Sequence, residues 1–222
     1  MNHVPHAGET RFDFIVCCTK NVPDVGPSLC DIIAPAVTDG RTTIVLIQNG
    51  LNIEKPFFER FPNNMVLSGV SRNDAHEIRP GVIEQNKNDN LRIGPFHNPR
   101  RTADDEALAA KHFATIYSAG GKTTCIVDVD VVTDRWRKLV YNATLNPICA
   151  LTGVNIGDMH IADGAMDSLI IPAMKEVVQV SEAKGCRLPK TVIEDTICSN
   201  PVEEKISPSM QKDLEKVCQT VK

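Results

Sequence analysis

Lys138, Asn142 and Asn146 stand at intervals of four in the stretch WRKLVYNATLNP, residues 136–147. A helix turns about 100° per residue, so steps of four return to nearly the same face. The spacing predicts one polar ridge, an ammonium followed by two carboxamides, with Trp136, Leu139, Val140, Ala143 and Leu145 packed around it. Such a ridge has two uses. It can be the solvated stripe of an amphipathic helix. Alternatively, it can point into a cleft. Asparagine is a modest helix former that belongs at caps and turns, so Asn146 before Pro147 reads equally well as a helix end. Asn142, mid-helix, is harder to explain that way. Ser209, in ISPSMQKDLEK, reads from its position as a helix N-cap.

Two further polar sets stand at the ends of apolar runs. DFIVCCTK (13–20) and TTIVLIQNG (42–50) have the continuous β-forming character of buried parallel strands. In open α/β sheets ligands bind beyond the carboxyl ends of the strands. Thr19, Lys20 and Asn21 lie at the first such end, and Gln48, Asn49 and Gly50 at the second. Lys20 suits a phosphate and Asn49 a cofactor or substrate, although polar residues also end buried strands wherever a chain turns.

The elements that must carry these residues alternate through the first half. Helices are expected over 23–37, 52–61 and 103–118, and further strands over 64–72 and 123–129. GVIEQNK and NLRIGPF read as a hairpin joined at Asn-Asp. This order predicts a doubly wound α/β sheet. From about residue 131 the pattern turns helical, over 131–153, 163–185 and 189–200, with Thr133 or Asp134 capping the first and Gly185 closing the second.

Bulk properties exclude several functions. A formal charge of −4 over 222 residues argues against non-specific nucleic-acid binding. No apolar run approaches the roughly 20 residues of a membrane helix, and the first residues lack the pattern of a signal peptide, so a cytoplasmic location is expected. The eight cysteines show no CxxC pair or zinc spacing and read as buried reduced thiols, with no metal expected. His3, His6, His76, His97, His112 and His160 share no catalytic pattern. SAGGKTT (118–124) is no phosphate loop, because the first glycine of GxxxxGK would fall at Ile116.

Taken together, FDFIVCCTKN, IVLIQNGLNIE, SGVSR with the downstream GVIEQ and LRIGPF, WRKLVYNATLNPICALTG and SPSMQKDLEK resemble the ketopantoate reductase (2-dehydropantoate 2-reductase) family, in that family's order. The resemblance implies NADPH-dependent reduction of ketopantoate to pantoate, on the way to pantothenate and coenzyme A. It implies Lys138 as the proton donor, a role that suits an ammonium beside a developing alkoxide. It implies Asn142, Asn146 and Ser209 as substrate-binding, and Lys20 and Asn49 as cofactor-binding. By the same resemblance residues 1–130 are a partial NADP-binding Rossmann-like domain lacking its first βαβ unit, and 131–222 an incomplete helical C-terminal domain.

The departures carry expectations of their own. No strand–GxGxxG–helix precedes Asp13, and Val221 stands where the family's substrate-contacting glutamate belongs, with Thr220 in step before it. Weak or absent NADPH binding is the expectation for the chain as written. The alternatives are a related 2-oxo or 3-hydroxy acid dehydrogenase, and a non-catalytic remnant that binds a partner or forms a homodimer through its helical half.

Overall fold

The computed structural model describes residues 4–8, 10–22, 24–73 and 75–220, the side chains of 217–220 excepted. Val221 therefore lies outside the described residues, as does the side chain of Thr220. The chain divides into two compact units, Met1–Asp134 and Arg135–Lys222. The sequence places its boundary four residues earlier, between 130 and 131, where the helix spanning this division begins.

The first unit runs β1 (Phe14–Cys17), α1 (Leu29–Ile33), β2 (Thr43–Leu46), α2 (Lys55–Arg60), β3 (Val66–Ser71), β4 (Ala75–Arg79), β5 (Val82–Gln85), β6 (Asp89–Phe96), α3 (Ala103–Ser118) and β7 (Thr123–Val127), and ends in the first turn of α4 (Val131–Asn142). Its main sheet has the order β1-β2-β3-β6-β7. β1, β2 and β3 are mutually parallel, β6 runs antiparallel to β3, and β7 runs parallel to β6. Ile44, Val45 and Leu46 have no exposure, as a strand covered on both faces requires. Ile44 and Leu46 meet Ile33, Phe57 and Phe61 on one face. Val45 joins Leu67, Leu91, Ile93, Ala110 and Phe113 on the other. Helices thus cover both faces: α1 and α2 on one, α3 on the other.

α3 forms where the sequence expects it. Thr102 Oγ1 accepts from the Asp105 N–H at 3.1 Å, and Asp104, Asp105 and Glu106 complement the positive end of the helix. Its buried positions 106, 109, 110, 113 and 114 recur at helical spacing. α1 is shorter than expected. It starts only after Ser28, whose Oγ accepts from the Asp31 N–H at 3.1 Å, because Gly26 at φ +75° and then Pro27 interrupt any earlier turn.

The expected hairpin is not formed. β5 pairs with β4 across a turn at Pro80-Gly81, in which Gly81 takes φ +77°. β6 instead pairs with β3, from Val66–Phe96 to Ser71–Leu91. Burial decides this competition: Leu91 and Ile93 reach zero exposure inside the main sheet, whereas Ile83 on β5 stays 63% exposed.

The second unit holds the rest of α4, then α5 (Leu145–Thr152), α6 (Ile156–Ile161), a π-helical turn (Met166–Ile170), α7 (Ile171–Ala183), α8 (Val192–Cys198) and α9 (Ser209–Thr220). The single helix expected over 131–153 is broken at 143–144, where Thr144 takes φ −120° and ψ −78°. Pro147 accounts for the break. It has no N–H for the Ala143 carbonyl and its ring would strike that carbonyl, so the helix restarts with Pro147 in its first turn, where no donor is needed. The wide turn before α7 precedes Pro172, which cannot donate to the Ser168 carbonyl. Gly185 closes α7 at φ +82°, as expected.

The cysteines divide. Seven are free among the described residues, and burial pushes the thiols of Cys17, Cys125 and Cys149 up to about 12, 11 and 11. Cys18 and Cys198, expected inside, are exposed.

The entry into α4 is held from β6. The cap is Asp130, not Thr133 or Asp134: its Oδ1 accepts from the Thr133 N–H at 3.2 Å. Arg92 donates from Nη1 to Asp128 at 2.7 Å and its Nε pairs with buried Asp134 at 3.3 Å. Burial pushes the Asp128 carboxyl up, but the Asp130 N–H and the Arg92 guanidinium outweigh it and hold it below its ordinary range. Beside Arg92, Gly94 lets the chain pass close: a Cβ there would lie 1.8 Å from the Asp128 carbonyl oxygen and 2.5 Å from Val131 Cγ1. Backbone on that side cannot yield cheaply. Gly94→Ala is expected to destabilise the first unit by about 1–3 kcal/mol through overpacking, read as a lower urea midpoint by circular dichroism. An unchanged midpoint would show that the 128–131 segment moves aside freely.

Candidate functional site

The loops leaving β1 and β2 emerge at one edge of the sheet because the strands are parallel and in register from Phe14–Thr43 to Cys17–Leu46. Gln48 ties them together. It is buried, and its Nε2 donates to the Thr19 carbonyl at 2.7 Å and to Thr19 Oγ1 at 3.2 Å. Lys20 and Asn49 follow on these loops and are exposed. Gly50 then turns the chain at φ +120°, and Asn52 takes a left-handed φ of 59°. The structure thus brings Lys20 and Asn49 to neighbouring loops at the carboxyl edge of the parallel strands, the place where such sheets bind ligands.

Asn142, Asn146 and Ser209 come together in the second unit. Asn146, on the first turn of α5, is 5% exposed. Its Nδ2 donates to Asn142 Oδ1 at 3.1 Å and lies 3.4 Å from Ser209 Oγ, while its Oδ1 accepts from the Met210 N–H at 3.2 Å. That last bond settles every amide in the cluster. A backbone N–H is only ever a donor, so the Asn146 oxygen must face Met210. The Asn146 nitrogen therefore faces Asn142, whose oxygen must accept. Asn146 spends its hydrogen-bonding capacity inside the protein. What remains to meet a ligand is the Asn142 NH2 and the Ser209 O–H, both donors. Two donors side by side suit a carboxylate or another oxygen-rich acceptor.

Lys138 lies on α4 one turn before Asn142 and is half-buried. Three residues on, burial and then the nearby Cys149 push the Tyr141 hydroxyl well above its ordinary range, so it stays protonated and neutral. The ridge seen in the sequence is split between two helices, with Lys138 and Asn142 on α4 and Asn146 on α5, yet the two asparagines still meet across the break. Ser209 is the first residue of α9, one position inside the N-cap expected for it; the cap position falls to Pro208, whose carbonyl accepts from the Lys212 N–H at 3.0 Å. Gln211 was not singled out by the sequence. It is 5% exposed and donates to the Gly153 carbonyl at 3.1 Å. No sequence signal marks it: apolar spacing in α9 would favour Met210 and Leu214 as the inward positions, yet these two are 44% and 49% exposed. No His, Cys, Asp and Glu grouping able to hold a metal occurs among the described residues, and no helix among them is long and apolar enough to cross a membrane.

Two family models match the chain: ketopantoate reductase PanE/ApbA over residues 2–98, and the ketopantoate reductase PanE/ApbA C-terminal model over residues 130–220. The chain belongs to the ketopantoate reductase family. An uncharacterised protein of Saccharomyces cerevisiae is 30% identical over 95% of this chain and 63% of its own length. A 2-dehydropantoate 2-reductase of Streptococcus pyogenes is 25% identical over 95% of this chain and 65% of its own. Among solved structures, the 2-dehydropantoate 2-reductase from Methylococcus capsulatus superposes with a TM-score of 0.78 at 27% identity, covering 93% of this chain and 63% of that one. The chain thus spans a little under two thirds of these relatives. The C-terminal family model takes in Lys138, Asn142, Asn146 and Ser209, and the other takes in Lys20 and Asn49.

The hydrogen-bond accounting separates the two asparagines. Asn146→Ala strands the Met210 N–H and releases both neighbours, and is expected to destabilise the second unit by about 1–3 kcal/mol. Asn142→Ala removes only one acceptor and is expected to cost under about 1 kcal/mol. Equal losses in chemical denaturation would overturn this division of roles.

Proposed function

We propose that this chain serves NADPH-dependent reduction of a 2-oxo acid, ketopantoate to pantoate, with its helical unit as the substrate-recognising part. The observation that carries the proposal is the interlock of Asn142, Asn146 and Ser209, which leaves two donors to receive the acid. Membership of the ketopantoate reductase family supports the reaction class.

Lys20 and Asn49 fit a nicotinamide cofactor, because both stand on loops at the carboxyl edge of parallel strands that Gln48 holds at a fixed spacing. When bound, the cofactor supplies a hydride from C4 of its dihydronicotinamide ring. The chain's own residues do the rest. Asn142 Nδ2 and Ser209 Oγ hold the carboxylate end of the acid, so that the neighbouring ketone is presented in one orientation. As the ketone carbon gains the hydride, the C=O electron pair moves onto oxygen. The Lys138 ammonium stabilises that charge and then transfers a proton from Nζ to the oxygen, giving the alcohol and a neutral amine that water reprotonates.

The test is NADPH oxidation by the purified chain with and without ketopantoate, run at high cofactor concentration. Ketopantoate-dependent oxidation is expected. Lys138→Ala should lower kcat by about a hundredfold or more, the range for losing a general acid. Ser209→Ala should raise KM for the acid roughly tenfold, with a smaller change in kcat. A folded protein that neither oxidises NADPH nor binds pantoate by calorimetry would refute the proposal.

A further inference from the structure

Gln211 is a costly residue in its place. The side chain is 5% exposed, its Nε2 donates to the Gly153 carbonyl at 3.1 Å, and its Oε1 is buried with no hydrogen-bond partner among the described residues. The amide cannot turn over to improve matters, because that would set its carbonyl against the carbonyl of Gly153. Leucine or methionine would fill similar volume and bury no unpartnered side-chain oxygen, giving up only the bond to the carbonyl of Gly153, an exposed residue that water can reach. Stability therefore does not account for a glutamine here.

Geometry does. Gly153 ends α5 in the left-handed conformation, φ 70°, with its N–H on the Cys149 carbonyl. Asn146 sits in the first turn of the same helix and takes the Met210 N–H. Consecutive residues of α9, Met210 and Gln211, thus reach opposite ends of α5. A slide or a roll of α9 by one residue would break both bonds together. Ser209, the preceding residue, lies 3.4 Å from Asn146 Nδ2 by virtue of the same register.

We infer that Gln211 is a positioning residue that fixes the register of α9 on α5, and through it aims the Ser209 hydroxyl and the Asn142 amide at the acid group. The inference rests on the proposed role of those two residues as substrate donors. A buried polar group that sets register at some cost in stability has physical precedent.

The full chain carrying Gln211→Met, and separately Gln211→Leu, distinguishes this role from simple packing. Three quantities are read: the thermal midpoint, the hydrogen-exchange rate of the Met210 amide by NMR, and the affinity for pantoate by calorimetry. The expected result is an unchanged or higher midpoint together with Met210 exchange about tenfold faster and affinity roughly fivefold to tenfold weaker, the effect of loosening one or two hydrogen bonds. A lower midpoint that scales with the other two changes, or an unaltered Met210 exchange rate, would overturn the inference. Should the unsubstituted chain bind no pantoate while Met210 exchange still accelerates in the variants, the register role stands and the substrate reading of the site falls.

Discussion

The Met210 N–H is the fixed point of the helical unit. Side-chain amides can turn over and hydroxyls can rotate, but a backbone N–H has one chemistry. By pointing at Asn146 Oδ1 it orients that amide, and Asn146 Nδ2 then orients Asn142. Two asparagines and a serine, which would otherwise have many arrangements, are reduced to one in which donors remain free. Preorganisation of this kind lowers the entropy lost when a ligand is held. It also explains why a residue as poor in helix propensity as asparagine is worth keeping at 142 and 146.

That arrangement depends on a defect in the helix. Were 131–153 one continuous helix, Asn146 would follow Asn142 on the same straight ridge. Pro147 forbids that continuity, since it can neither donate to the Ala143 carbonyl nor share its space. The restart at Leu145 puts Asn146 in a first turn, and there it is buried and meets Met210. Thr144 closes part of the gap by donating from its hydroxyl to the Val140 carbonyl at 2.6 Å. One imino acid thus converts a polar stripe into a bracket between two helices.

Sequence patterns revealed most where the physics is local. Thr102 and the acidic first turn define the start of α3, and the uninterrupted apolar run Ile44–Leu46 defines a doubly covered strand. The four-residue spacing of Lys138, Asn142 and Asn146 exposed the polar ridge, and the resemblance supplied Ser209, residues away in sequence but beside Asn146 in space. Hidden from sequence were choices between competing long-range partners. β6 follows β5 closely, yet joins β3, because only there do both Leu91 and Ile93 leave water. The cap of α4 falls to Asp130 because Gly94 admits the Asp128 carbonyl and Arg92 holds the segment down. None of these neighbours is near in the chain, so no periodicity records them.

Gln211 shows the same limit from the other side. Hydrophobic spacing assigns Met210 and Leu214 to the inside of α9, and buried area alone would agree. The observed helix turns a glutamine inward and leaves those two half-exposed. Burial energy cannot favour that rotation, since it trades apolar contact for an acceptor without a partner. Two hydrogen bonds to the ends of α5, one from the Met210 backbone and one from the Gln211 side chain, define that rotation, because both are lost together if the helix turns. Where a helix sits against its apolar pattern, the bonds that hold it there mark the geometry the fold protects, and in this unit that geometry is the placement of Ser209 beside Asn146.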